Sequence, residues 1–290
     1  MHPTDLARLI LLSAIWGASF LFMRILATAL GPFWIAESRS GIAALALLPY
    51  LWLIGQRLDW RKNGWPYLVI GLINSAVPFA LFGFAAHTLP AGYSAIINAT
   101  SPIWGALLGS LLLGDTLRAR QWLGMVLGIG GVALLVKLGP MAVTAQFILA
   151  VLACLAAAFC YGLAATVSKR LSGNITPQQT ATGSMVAASI MLLPTLPLSP
   201  IVGPLGDVLT GAMVLIMLAL GLLCSAFAYL LYFRLVANIG PGKTLTVTFL
   251  VPLFALLWGV LFLHEHVGLS TLAGCGGVVL ATWLVTGAKR

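Results

Sequence analysis

Residues 101–132 read SPIWGALLGSLLLGDTLRARQWLGMVLGIGGV, and residues 251–279 read VPLFALLWGVLFLHEHVGLSTLAGCGGVV. Superposed at an offset of 150, they share a proline (Pro102, Pro252), a glycine (Gly109, Gly259), a leucine (Leu111, Leu261), an acid (Asp115, Glu265) and a second glycine (Gly124, Gly274). Gly92 and Gly242 extend the same register upstream. Farther back, Trp16-Gly17 and Arg24 are echoed by Tyr161-Gly162 and Lys169 at an offset of 145. Self-similarity at a long fixed offset marks an internal repeat. The chain therefore reads as two related halves, 1–140 and 141–290.

The solvent for those halves follows from composition. Of 290 residues, 61% are hydrophobic and 7% charged, with a mean hydropathy of +1.06. A soluble domain carries about 25% charge. A chain this apolar has too little polar surface to face water, so a bilayer is expected around it. The formal net charge of +9 suggests a nucleic-acid partner only until the placement of the charges is considered. Cys154, Cys160, Cys224 and Cys275 lie in apolar runs without metal-ligand spacing and read as small core residues.

About 20 apolar residues cross the hydrocarbon as a helix. Ten runs qualify, near 6–28, 33–54, 65–86, 91–113, 121–137, 147–169, 179–200, 210–234, 242–263 and 268–287. Turn chemistry separates several of them: Gly31-Pro32, Pro90, Gly139-Pro140, Ser172-Gly173-Asn174 and Gly240-Pro241-Gly242. The first run is too long for a cleavable leader and reads as a span. With the N-terminus inside, twelve of the fifteen Lys and Arg residues fall on the cytoplasmic side, and only Arg24, Arg39 and Lys137 do not. Both termini are then cytoplasmic. Five spans per half is an odd number, so the second half is expected upside down relative to the first. That arrangement, an all-α membrane protein of two inverted five-helix repeats, is the architecture of secondary transporters. No loop is long enough to fold alone, and no phosphate-binding loop occurs.

Ionisable residues at membrane depth are candidate functional groups. Arg24, Glu37, Arg39 and His87 all fall near the outer ends of their spans. They read either as a charged rim that meets a polar solute or as ion pairs near the headgroups. Neutral polar groups lie deeper. Asn74 sits mid-span, one turn from Pro78. Ser94, Asn98 and Pro102 share a face, with Ser101 alongside; Thr244, Thr248 and Pro252 take the matching positions. Proline frees a backbone carbonyl, which a neighbouring hydroxyl or a solute can satisfy. Trp16, Trp104 and Tyr161 lie near span centres and read as an aromatic wall or as core. The candidate solute-binding set is therefore Asn74, Asn98, Ser101, Trp104, Tyr161 and Trp16, with Pro102 and Pro252 as symmetric hinges. The polar groups on the outer side suggest a resting state open outward.

The stretches IWGASFLFMR at 15–24 and SRSGIAALALLP at 38–49, with the two quoted first, resemble the EamA-type members of the drug/metabolite transporter superfamily. Within that group the chain is most similar to bacterial aromatic amino-acid exporters of the YddG type. The resemblance implies a bacterial inner-membrane exporter of amino acids and related metabolites, working by alternating access as a monomer, without cofactor or metal. The matching residues Trp16, Gly17, Arg39, Pro102, Asp115, Pro252 and Glu265 are fold markers and assign no substrate. A multidrug or cationic-compound exporter is the alternative. Small relatives with that activity rely on a glutamate in the first span, which Leu6–Thr28 lacks. An intramembrane enzyme finds no serine, aspartate-pair or His-Glu-x-x-His motif; the HEH at 264–266 has the wrong spacing.

Overall fold

The computed structural model describes residues 2–138, 142–171, 173, 175–240, 244 and 246–286. The expected turn residues Gly139, Pro140, Ser172, Asn174, Pro241 and Gly242, and the basic residues Lys243, Lys289 and Arg290, lie outside them.

Apart from one isolated bridge, Leu30 to Ile201, the described residues form helices. In lipid no water can satisfy a free amide, so the backbone bonds to itself. In chain order the main rods are α1 (Pro3–Leu26), α2 (Pro32–Leu53), α3 (Trp60–Ala86), α4 (Ala91–Leu113), α5 (Ala119–Leu138), α6 (Ala145–Leu171), α7 (Pro177–Leu198), α8 (Gly211–Ile239), α9 (Val247–Leu263) and α10 (Leu269–Thr286). Each expected run falls on one rod. Seven helices are long and apolar enough to cross a membrane; Ala119–Leu135 and Val247–Leu263 are shorter apolar helices. α2 has 22 residues but carries Glu37 and Arg39 in its first two turns, which lowers its hydropathy.

The sequence sets the helix ends. Pro3, Pro32 and Pro177 stand in the first helical turn, where the missing N–H costs nothing. Asp59 caps α3 by accepting from the Lys62 N–H, so α3 starts five residues before the expected Trp65. Thr176 and Gln179 form a reciprocal capping box on α7. Gly114 and His264, repeat equivalents, end α4 and α9 in the left-handed conformation, at φ +75° and +52°. Glycine adopts that region freely; His264 adopts it at a cost of about 1 kcal/mol or more.

Other repeat equivalents behave alike. Residues 72–76 of α3 and 219–227 of α8 are both π-helical. Gly17 of α1 packs so closely on α9 that a Cβ there would lie 2.7 Å from Phe254 Cβ and 2.9 Å from the Ala255 nitrogen. Gly162 of α6 packs on α4 in the same way, with Trp104 Cβ and the Gly105 nitrogen each 2.6 Å from a notional Cβ. Trp104-Gly105 and Phe254-Ala255 are themselves 150 residues apart. The helix pairing follows the same exchange. α1 packs on α9 as α6 packs on α4, and α3 packs on α6 as α8 packs on α1. α2 meets α7, and α5 meets α10 along much of their length.

The prolines depart from this symmetry. α4 is interrupted between Asn98 and Ser101, with Pro102 in the first turn of its second segment. α9 continues through Pro252 without a break. The two prolines expected as equivalent hinges therefore sit in unlike backbones, one at a helix interruption and one inside a continuous helix. The four cysteines are free thiols; Cys154, Cys224 and Cys275 are buried and Cys160 partly so.

Candidate functional site

A cavity of about 520 Å³ lies between the halves, walled by α1–α4 and α6–α9, with Thr244 just before α9. Among the described residues none of α5 or α10 is on the wall. Small-molecule sites usually measure about 300–1,000 Å³ and combine apolar walls with a few polar groups.

Five of the six expected solute contacts line this cavity: Trp16, Asn74, Asn98, Ser101 and Tyr161. Asn74 Nδ2 lies 3.4 Å from Tyr229 Oη, a donor and an acceptor facing each other across the cavity wall. Ser101 Oγ donates to the Asn98 carbonyl at 2.6 Å and lies 3.3 Å from Asn98 Oδ1. Pro102 has no N–H to offer that carbonyl, and the serine hydroxyl takes the vacant place. Tyr161 stacks on Phe82 with ring centroids 6.1 Å apart, and Trp16 leans on Tyr232 at 5.8 Å.

Trp104 is the exception. It is absent from the cavity wall, packs edge-on against Phe159 with centroids 5.6 Å apart, and leaves its indole N–H buried without a partner. Trp104 packs against Phe159 of α6, so the residue expected at the solute serves here in helix packing.

The expected outer rim also separates. Glu37 faces α7, where its Oε1 accepts from Ser189 Oγ at 2.6 Å while Oε2 is buried and unpartnered. Arg39 instead lines the central cavity and is 8% exposed. Its Nε–H donates to Ser225 Oγ at 3.1 Å, and its guanidinium lies over the Phe79 ring at 4.0 Å from the centroid. Two helical residues are about 200° apart around the axis, which sends the acid and the base to opposite sides of α2. Arg24 and His87 remain together, lining a second cavity with Glu265, Thr28 and Pro90. Arg24 Nη1 donates to the Ala86 carbonyl at 2.6 Å. Glu265 Oε1 accepts from the Ala91 N–H at 2.8 Å and so caps the start of α4 from the other half of the chain. Burial pushes the Glu265 carboxyl above the usual carboxylate range, opposed by the Ala91 and Gly92 amides.

Lining residues missed in the sequence include Tyr229, Tyr232 and Phe233 of α8 and Phe79 and Phe82 of α3. The α8 set has a legible signal: spacing i, i+3, i+4 puts three rings on one helix face. The contribution of Arg39 has none, because its distance from the span end suggests shallow placement.

The central cavity runs toward the ends of α6 and α7 that carry Ala165 and Pro177, both exposed and both on its wall. At the opposite end Met23, Leu26, Leu30, Leu89 and Tyr93 are almost wholly buried. The expected outward-open state is therefore corrected. The cavity opens toward the face bearing Arg57, Arg61, Lys62 and Arg170, and the face bearing Arg24, His87 and Glu265 is closed. Buried rings and leucines outweigh the few polar groups that suggested a wet outer half.

Residues 6–137 and 148–287 each match the model of the EamA-like transporter family. An uncharacterized transporter of Archaeoglobus fulgidus is 26% identical over 93% of this chain and 94% of its own length. Protein PecM of Dickeya dadantii is 28% identical over 90% of this chain and 84% of its own. The uncharacterized inner membrane transporter YedA of Escherichia coli K12 is 27% identical over 94% and 87%. One crystal structure superposes with a TM-score of 0.66, covering 98% of this chain and 96% of its own; at 17% identity it speaks for the fold.

Proposed function

The chain belongs to the EamA-like transporter family, and on that premise we propose that it exports amino acids with aromatic or other apolar side chains, and related metabolites, by alternating access. It is a multi-pass membrane transporter of a small solute, as its family and relatives are. The observation that carries the finer reading is the cavity itself. It is walled by Trp16, Phe79, Phe82, Tyr161, Tyr229, Tyr232 and Phe233, which suit an apolar ring, and by Asn74, Asn98 and Ser101, which suit a polar headgroup. The exchange of helix contacts between the halves supports an inverted repeat of two five-helix units, 1–140 and 141–290. Such a repeat supplies two related arrangements, one open to each side. The excess of basic residues at the open end supports placing both termini in the cytoplasm of a bacterial inner membrane. A solute then enters the captured state from inside, as export requires. A monomer contains the whole cavity.

A cation exporter is less well supported: among the described lining residues the charged one is Arg39, and no Asp or Glu is present. The test is counterflow of labelled phenylalanine and leucine in proteoliposomes, with and without a pH gradient. Accumulation against an unlabelled pool is expected. Reconstituted, folded protein that moves neither would refute the amino-acid reading, and a pH-dependent plateau would identify proton coupling.

A further inference from the structure

We propose that Arg39 is the anchor for a solute carboxylate, and so selects the anionic end of whatever the cavity takes. This rests on the reading of the cavity as the transport site and narrows it.

The argument begins with an imbalance. A guanidinium is a permanent cation in proteins, and Arg39 brings one to the cavity wall. It is 8% exposed, inside a protein that itself lies in lipid. Burying a cation costs several kcal/mol unless a counter-charge and hydrogen bonds replace water. Among the described residues no carboxylate lies within ion-pair distance of it; the ion pairs are Arg8–Asp5 and Lys62–Asp59. Glu37, two residues away, is committed to Ser189 on the far side of α2. The Phe79 face, at 4.0 Å, offsets part of the cost. It leaves the charge without a counter-ion.

The local structure holds the group in one orientation. Helix α8 is π-helical over 219–227, and within that stretch Ser225 Oγ donates to the Leu220 carbonyl five residues back, at 3.3 Å. The lone pair that remains on Ser225 accepts from Arg39 Nε at 3.1 Å. The Phe79 ring of α3 covers one face of the guanidinium. Three helices thus fix its position. π-segments of this kind often mark functional sites, since they re-aim a side chain at the cost of a regular bond.

What is left over is the fork. With Nε occupied, the N–H groups of Nη1 and Nη2 have no partner among the described residues. They are absent from the buried polar atoms that lack one, so they remain in reach of the cavity that Arg39 lines. Two parallel N–H groups match two carboxylate oxygens, the strong bidentate geometry. A phosphate monoester, as a dianion, calls for a second cation, and among the described lining residues there is none. The fit is to a monocarboxylate with an apolar body. Such a solute brings the counter-charge that folding left out.

The experiment uses full-length protein in proteoliposomes and unlabelled competitors of labelled phenylalanine counterflow: 3-phenylpropionate, which keeps the carboxylate, and phenylalaninamide and 2-phenylethylamine, which lack it. The acid is expected to compete on the order of 10–100-fold better than the amide or the amine. Arg39→Gln is expected to weaken phenylalanine by a similar factor while leaving competition by the amide unchanged, and Arg39→Lys to recover part of the loss. Equal competition by acid and amide in the unaltered protein would overturn the proposal. So would an Arg39→Gln protein that loses all solutes alike, since that is the signature of a structural role. Where Arg39→Gln fails to fold, the competitor series on the unaltered protein decides. If phenylalanine is not transported at all, the amino-acid reading fails separately. Thermal stabilisation by the same acid and not by its amide then decides the role of Arg39.

Discussion

Gly17 and Gly162 offer a direct test of the paired architecture, because the sequence makes them equivalent and the structure gives them the same task. Alanine at 162 places a carbon 2.6 Å from both the Gly105 nitrogen and Trp104 Cβ; alanine at 17 places one 2.7 Å from Phe254 Cβ and 2.9 Å from the Ala255 nitrogen. Unstrained contacts of this kind lie at about 3.5–4.0 Å. The obstructing atoms are backbone and Cβ, which cannot rotate away, so α6 must part from α4, or α1 from α9, by about 1 Å. Overpacking of this sort costs about 1–3 kcal/mol. Alanine also raises helix propensity by up to about 1 kcal/mol, which would mask the clash. Gly130→Ala and Gly276→Ala supply the correction, since nothing lies within 4 Å of a Cβ at either position. Equilibrium unfolding in mixed micelles should place the Gly17 and Gly162 variants about 1–3 kcal/mol below the two controls, and by similar amounts. A Gly162→Ala protein within about 0.5 kcal/mol of the controls, the usual range of a neutral surface change, would refute the close approach of α4 and α6.

Cysteines at Arg57 and Arg118, both exposed on the basic face, should label only from the cytoplasmic side, and one at Val202, 69% exposed, only from outside. Leu89 is fully buried and is a poor outside reporter in this state; opposite labelling at any of the three exposed sites would overturn the orientation. Asn74→Leu and Asn98→Leu should each slow counterflow several-fold without loss of folded protein, whereas Trp104→Phe should leave it unchanged and stabilise by up to about 1 kcal/mol by removing an unpaired buried donor. Normal transport by both asparagine variants would place the site elsewhere. Pro102→Ala should slow exchange, because the interruption of α4 sits beside Asn98 on the cavity wall. Pro252→Ala, within an unbroken helix, should slow it less; equal slowing by both would restore the symmetric-hinge reading.

How much of this was legible depends on the physical scale of each feature. Spans are written in composition, since lipid tolerates little else over 20 residues, and their ends are written in proline, glycine and capping residues. The errors of a few residues came from local capping, as where Asp59 begins α3 early. The repeat was legible because both copies solve the same packing problem: Gly17 and Gly162 survive where a Cβ would strike the facing backbone. Much of the cavity wall was legible by elimination, because deep polar groups are so few that Asn74, Asn98 and Ser101 stand out.

Direction around a helix was not legible, and the conformational state was not. Glu37 and Arg39 are two residues apart and look like one charged rim, yet rotation about α2 sends one to Ser189 and the other into the cavity. Sequence places a residue along a helix to within a turn. Its azimuth depends on the π-segment in α8 and on the ring of Phe79, features of two other helices that no local pattern announces. The state is subtler still. Asp115 and Glu265 stand at equivalent positions, each with its N–H bonded to the equivalent glycine carbonyl, Gly109 or Gly259. The Glu265 carboxylate reaches across to Ala91 at the closed end of the molecule. The positions equivalent to Ala91 and Gly92 are Pro241, which has no N–H to give, and Gly242; both lie outside the described residues. If the protein works by alternating access as proposed, a repeat encodes both ends with nearly the same residues because each end must be able to close, and the balance between two packings of one sequence decides which one is closed. A polar inventory of the outer half therefore pointed outward, while the buried face of Met23, Leu26, Leu30, Leu89 and Tyr93 had already closed it.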